Sequence, residues 1–175
     1  MTSQEPLLST TTNSDYKSLS SSQAIKLINV AAIDIGTNST HLLVASVDPV
    51  LHTYSIEIAE KATTRLGERD PESGALTDIA MQRVHETLRR FKDLAESYQV
   101  EQLLVAATSA VREAPNGRSF LVQVKEQAGL EVDLISGFEE ARLIYLGVLS
   151  GITFAKRPHI LVDIGGGSTE LILAD

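Results

Sequence analysis

Ile33-Asp34-Ile35-Gly36-Thr37-Asn38-Ser39-Thr40-His41-Leu42-Leu43-Val44-Ala45 and Val162-Asp163-Ile164-Gly165-Gly166-Gly167-Ser168-Thr169-Glu170-Leu171-Ile172-Leu173-Ala174 are two copies of one pattern. Asp, Ile, Gly, Ser, Thr, Leu and Ala recur in register, and each glycine turn has an apolar stretch on either side. Glycine lets the backbone approach a ligand closely, and consecutive N–H groups in such a turn form a concave nest for an anion. Thr37, Ser39 and Ser168 add hydroxyl donors, and an Asp at the strand end offers oxygen to Mg²⁺, directly or through water. One turn alone reads as an ordinary hairpin. Two matched copies, far apart in sequence, point instead to two similar lobes that face each other across a row of phosphates. Gly36, Thr37, Asn38 and Ser39 would grip from one side; Gly165, Gly166, Gly167 and Ser168 would grip from the other.

Three segments between the copies carry charge where a core would reject it. Thr108-Ser109-Ala110-Val111-Arg112-Glu113-Ala114 follows an apolar strand, and ligands commonly sit beyond the carboxyl ends of strands in α/β sheets. Arg112 is placed to meet an anion, its planar fork suiting phosphate; the alternative is a solvated Arg or a partner for Glu113. Ser136-Gly137-Phe138-Glu139-Glu140-Ala141-Arg142 also follows a strand. Its two carboxylates are either dipole partners at a helix start or include a general base that activates water. Neighbouring positions do not share a helix face, so only one can face a cleft, and spacing does not choose between them. Thr64-Arg65-Leu66-Gly67-Glu68 places Arg65 as a second phosphate ligand or a turn-flanking charge. His41, His52, His85 and His159 lack metal-ligand spacing, and none is assigned to catalysis.

The elements that must position these residues are legible in outline. Leu27-Ile28-Asn29-Val30-Ala31-Ala32-Ile33 reads as a buried strand. His41-Leu42-Leu43-Val44-Ala45-Ser46-Val47 is a second strand, and Tyr54-Ser55-Ile56-Glu57-Ile58-Ala59-Glu60 alternates as a third with one wet face. A charged loop with Pro71 covers 67–74. Ala80, Val84, Leu88, Phe91 and Ala95 fall at helical spacing, with Thr77 as N-cap. Leu103-Leu104-Val105-Ala106-Ala107 is a short buried strand. Asn116 is expected to cap a helix that stops at Gly129. Val132-Asp133-Leu134-Ile135 is a strand, 138–149 a helix, and 159–163 and 169–173 a strand–turn–strand. A meander followed by strand–helix alternation predicts an α/β fold with a mixed five-stranded sheet. The order is not a Rossmann order, because each glycine turn joins two strands.

Composition narrows the function classes. With 43% hydrophobic and 22% charged residues, the 175-residue chain has the make-up of a soluble globular protein. There is no Cys for a disulfide or thiolate metal site. No apolar run suffices to span a bilayer, and the first residues lack a secretory pattern, so the expectation is a cytoplasmic protein with no membrane partner. A net charge of −8 repels polyanions at long range, which argues against nucleic-acid binding. Phosphates would have to be held locally, by N–H groups, a few arginines and a divalent cation. Residues 1–25 are rich in Ser and Thr and read as a disordered tail.

In this order, the segments Ala32-Ile33-Asp34-Ile35-Gly36-Thr37-Asn38-Ser39, Thr64-Arg65-Leu66-Gly67-Glu68, Ala107-Thr108-Ser109-Ala110-Val111-Arg112, Ile135-Ser136-Gly137-Phe138-Glu139-Glu140-Ala141-Arg142-Leu143-Ile144-Tyr145 and Val162-Asp163-Ile164-Gly165-Gly166-Gly167-Ser168-Thr169-Glu170-Leu171 resemble the exopolyphosphatase / guanosine pentaphosphate phosphohydrolase (Ppx/GppA) family, from about residue 27 to the end. The resemblance implies an actin-like ATPase (ribonuclease H-like) fold and a hydrolase acting on phosphoanhydrides. Such enzymes release the terminal phosphate of inorganic polyphosphate or the γ-phosphate of guanosine pentaphosphate, usually with Mg²⁺. It implies Glu140 as catalytic base, Arg112 as a phosphate contact, Asp34 and Asp163 (with Glu140) as metal-associated acids, and the glycine turns as phosphate loops.

Members of that family carry a complete second lobe, whereas this sequence ends after that lobe's first hairpin. The expected organisation is a first lobe over 26–152 and the first hairpin of a truncated second lobe over 158–175. That hairpin is marginal alone; packing on the first lobe, pairing with a second copy as a homodimer, and poor order all remain open. Two other functions stay in view: an ATP-dependent kinase or ATPase of the same superfamily, and a non-catalytic phosphate- or nucleotide-sensing fragment.

Overall fold

A computed structural model of the chain describes residues 26–155 and 157–174; the expected tail at 1–25 lies outside them. Strands β1 (Ile28–Ile35), β2 (Ser39–Asp48) and β3 (Thr53–Thr63) form an antiparallel meander. Helix α1 (Asp78–Ser97) returns the chain to β4 (Gln102–Ala107), parallel to β1. The single turn α2 (Ser109–Arg112), helix α3 (Gly117–Ala128), the short β5 (Asp133–Leu134) and helix α4 (Gly137–Gly151) follow. The sheet order is β3-β2-β1-β4-β5, the mixed arrangement of the actin-like, ribonuclease H-like fold. β6 (His159–Ile164) and β7 (Thr169–Ala174) pair only with each other, as a second two-stranded sheet.

One face of the large sheet holds the core. Ile33, Ile35, Leu42 and Val44 lie fully buried under α1 and α3, which contribute Val84, Leu88, Phe91, Phe120 and Val124. Each such side chain contributes about 1.5–3 kcal/mol relative to exposure. Thr77 caps α1 as expected, its hydroxyl accepting from Ala80 N at 3.3 Å. Gly129 ends α3 at φ 64°, the left-handed conformation that glycine adopts without strain.

Two expectations need correction. The strands around Ala31 and Val105 are buried on one face only: Ala32 is exposed and Leu104 is 51% exposed. Their apolar residues on the second face line a cavity beneath α4, a helix with no fully buried residue. A continuous apolar run cannot distinguish a packed face from a cavity wall. Asn116 stands at the N-cap position of α3 but makes no capping bond. Its amide instead brackets Leu76, accepting from Leu76 N at 2.8 Å and donating to Leu76 O at 3.0 Å. The turn α2 was not expected; it runs directly from the end of β4, with Arg112 N and Val111 N both donating to Thr108 O.

Candidate active site

Both glycine turns sit at the ends of hairpins, and the hairpins meet turn to turn. A Cβ on Gly166 would come within 2.5 Å of Asn38 Nδ2, and one on Gly167 within 2.5 Å of Thr37 Oγ1 and 2.8 Å of Ser109 Oγ. The close approach therefore excludes a larger residue at either position without movement of the facing turn. Thr37 and Ser109 also hydrogen-bond to each other, Oγ to Oγ, at 3.1 Å. The second hairpin thus touches the first glycine turn, and its β7 packs on α4.

The turns enclose a polar cavity of about 310 Å³ whose walls include Asp34, His41, Lys61, Glu140, Asp163, residues 36–39 and residues 164–168. A larger cavity of about 640 Å³ adjoins it under α4 and shares Asp34, His41, Glu140 and Asp163, but its walls are mostly apolar. Only the polar one has both glycine turns in its walls.

The two adjacent carboxylates separate cleanly. Ser136 caps α4 by accepting from Glu139 N at 3.2 Å, which fixes the start of the helix. Glu139 then points outward and pairs with Arg142 at 2.7 Å, and that bond holds its carboxyl below the usual range. Glu140 points into the cavity with its side chain 15% exposed. Burial first, then Glu170 and Asp34, push the Glu140 carboxyl up, against the pull of Arg112. Asp34 opens onto the same cavity; burial raises its carboxyl, Asp163 adds to this, and His41 opposes it.

The arginines lie elsewhere than in the polar cavity. Arg112 Nη1 donates to Ile135 O at 2.8 Å and to Glu140 Oε2 at 3.2 Å, so its partner is Glu140 and not Glu113. Nε and Nη2 of Arg112 have no partner among the described residues. Arg65 has φ 48° and lines a separate cavity of about 520 Å³ on the other side of the first turn, together with Thr37, Asn38 and Gly166.

Sequence reasoning missed Glu170, His41 and Ser109. Glu170 is 9% exposed and pairs across the hairpin with Asp163; His41 pairs likewise with Asp34. The signal was present, since Glu170 and His41 occupy the same position of the repeat. Ser109 depended on α2, which the pattern did not reveal.

The donor set suits a hard cation. Asp34, Glu140, Asp163 and Glu170 offer carboxylate oxygens, and Asp163 disfavours the charge of Asp34 as Glu170 and Asp34 disfavour that of Glu140. Among the described residues no three acidic or histidine side chains form a preformed cage. Mg²⁺ does not need one, because it binds through one or two carboxylates plus waters and substrate phosphates. Among the described residues no helix is long and apolar enough to cross a membrane.

Comparison with known proteins points in one direction. The profile of the Ppx/GppA phosphatase family matches residues 43–175. A Ppx/GppA family member from Aquifex aeolicus superposes with a TM-score of 0.75 at 33% identity, over 85% of this chain and 48% of that one. An exopolyphosphatase from Cytophaga hutchinsonii superposes with a TM-score of 0.78 at 31% identity, over 84% of this chain and 46% of that one. The chain spans about half the length of the structures it matches.

Proposed function

The chain belongs to the Ppx/GppA phosphatase family, and on that premise we propose that it carries the first half of a phosphohydrolase site that releases the terminal phosphate of inorganic polyphosphate or of guanosine pentaphosphate. The observation that carries this reading is Glu140. It is the one of two adjacent carboxylates that faces a polar cavity between two glycine turns, and its surroundings make it a stronger base than an ordinary glutamate.

In this reading the phosphate chain lies between residues 36–39 and residues 165–168, held by backbone N–H groups and the hydroxyls of Thr37, Ser39 and Ser168. Phosphoryl transfer needs positioning and charge neutralisation more than covalent help. Arg112 contributes twice: Nη1 orients Glu140, and its unpaired Nε and Nη2 are available to phosphate oxygens. Arg65 contacts the chain where it leaves the first turn. Glu140 accepts a proton from water as the water oxygen bonds to the terminal phosphorus; the P–O bond to the bridging oxygen breaks, its electron pair stays on the bridging oxygen of the shortened chain, and the terminal phosphate leaves as inorganic phosphate. Mg²⁺, held by Asp34, Asp163 and Glu140, would neutralise phosphoryl-oxygen charge when bound. Among the described residues, no serine of the polar cavity is hydrogen-bonded to a carboxylate or imidazole that would activate it for a covalent route.

The test compares substrates. Inorganic phosphate is measured with Mg²⁺ and polyphosphate, guanosine pentaphosphate or ATP, for this chain and for a version extended by a complete second lobe. The extended form is expected to release phosphate from polyphosphate or guanosine pentaphosphate. Preference for ATP, with transfer to an acceptor, would favour the kinase reading instead. Phosphate binding without turnover in both forms would favour a sensing role.

A further inference from the structure

Arg83 lies on α1, outside every cavity wall of the site, yet its guanidinium reaches three acceptors of the segment after β3. Nε donates to Thr64 O at 2.7 Å, and Nη2 donates to Arg65 O at 3.3 Å and to Glu68 Oε2 at 2.6 Å. The same segment grips the first glycine turn from behind. Thr64 N and Arg65 N both donate to Asn38 O, at 3.1 and 2.9 Å, and Gly67 N donates to Thr37 O at 2.9 Å. Arg65 is held at φ 48°, a conformation that a non-glycine residue keeps only when its surroundings enforce it.

The geometry of the peptide bond turns these contacts into a statement about the ligand side. In a planar trans peptide, C=O and N–H point in opposite directions. Thr37 O is pinned toward the 64–68 segment, so Asn38 N–H faces away from it. Asn38 O is pinned the same way, so Ser39 N–H also faces away. Asn38 N–H has no hydrogen-bond partner among the described residues. The carbonyls of the turn are thus spent on the segment that Arg83 locks, which leaves the N–H side for an anion.

We propose that Arg83 is a positioning residue for the first phosphate turn, acting through the 64–68 segment to set the direction of the Asn38 and Ser39 N–H groups and the backbone of Arg65. The inference rests on the reading of that turn as a phosphate clasp. Lysine cannot replace it, because a single ammonium does not span three acceptors as the planar fork does.

The experiment uses the chain with Mg²⁺ and inorganic tripolyphosphate as probe. It measures the Kd and the hydrogen exchange of individual amides for wild type, Arg83→Met and Arg83→Lys. Both variants are expected to raise the Kd about tenfold, the loss expected when a charge-assisted contact that shapes a site is removed. Exchange should accelerate at Thr64, Arg65 and Gly67 while the amides of Val84, Leu88 and Phe91 keep their protection. Glu68→Gln, which spares the two carbonyl contacts, should raise the Kd about two- to threefold; it provides the reading if Arg83→Met fails to fold. Wild-type affinity in Arg83→Met, wild-type affinity in Arg83→Lys, or loosening spread evenly through the core would each overturn the proposal. Wild type that binds no tripolyphosphate would overturn the phosphate reading of the turn itself, a different outcome from binding that ignores Arg83.

Discussion

Glu139 and Glu140 have the same chemistry and adjacent places in the chain, and their surroundings drive them apart. Arg142, one turn along the helix, takes Glu139 outward and favours its charge. The cavity wall takes Glu140 inward and disfavours its charge. His85 illustrates the same principle away from the site. It is 2% exposed on α1, and its ring lies 5.4 Å from Phe120. Burial first, and Arg89 second, pull its pKa down, with Gln123 opposing. The unfolded chain therefore binds a proton that the folded chain refuses. His85 costs nothing above its unfolded pKa of about 6.5, and stability falls as pH drops from there toward the lowered folded value. His85→Leu should flatten that part of the curve: in thermal melts from pH 7 to pH 5, the wild type should lose more Tm than the variant. Parallel losses would show that another group governs acid sensitivity.

At the scale of elements, the junction between the 67–76 loop and α3 rests on Asn116. Its side chain satisfies both backbone groups of Leu76, itself 3% exposed. Asn116→Ala leaves a buried N–H and C=O without these partners and should cost about 2 kcal/mol, a Tm lower by several degrees at this chain length. No change would mean that water replaces the amide. Sequence alone supplied the strands, three helices, the Thr77 cap, the Gly129 stop and the strand–turn–strand repeat, because each rests on local periodicity or backbone conformation. It did not reveal that Asn116 turns back to Leu76, that Arg112 holds Glu140, or that α4 covers the second face only partly. Those are tertiary choices among partners that local pattern leaves equivalent. The repeat located Asp34 and Asp163 directly, and it also held His41 and Glu170 at matched positions without disclosing that each lies across its hairpin from one of those acids.

At the scale of the molecule, the five-stranded sheet and the two-stranded hairpin meet through their glycine turns, and Asp34 and Asp163 stand where they meet. The chain is strongly acidic overall, with 23 Asp and Glu against 15 Lys and Arg. On the proposed reading, a phosphate chain would gain its attraction at the site, from N–H groups, Arg65, Arg112 and a divalent cation, and not from a surrounding field. The outward face of the second hairpin, with Ile160, Val162, Ile164, Leu171 and Leu173 all more than half exposed, is as apolar as a strand face that packs against another layer. The central claim is that Glu140 activates water between the two turns. It is tested most directly by the rate of phosphate release from polyphosphate with Mg²⁺, in the form extended by a second lobe, for wild type against Glu140→Gln. The account predicts a fall of about 10²- to 10⁴-fold in kcat, with polyphosphate affinity within about threefold. Turnover by the Gln variant at the wild-type rate would contradict it.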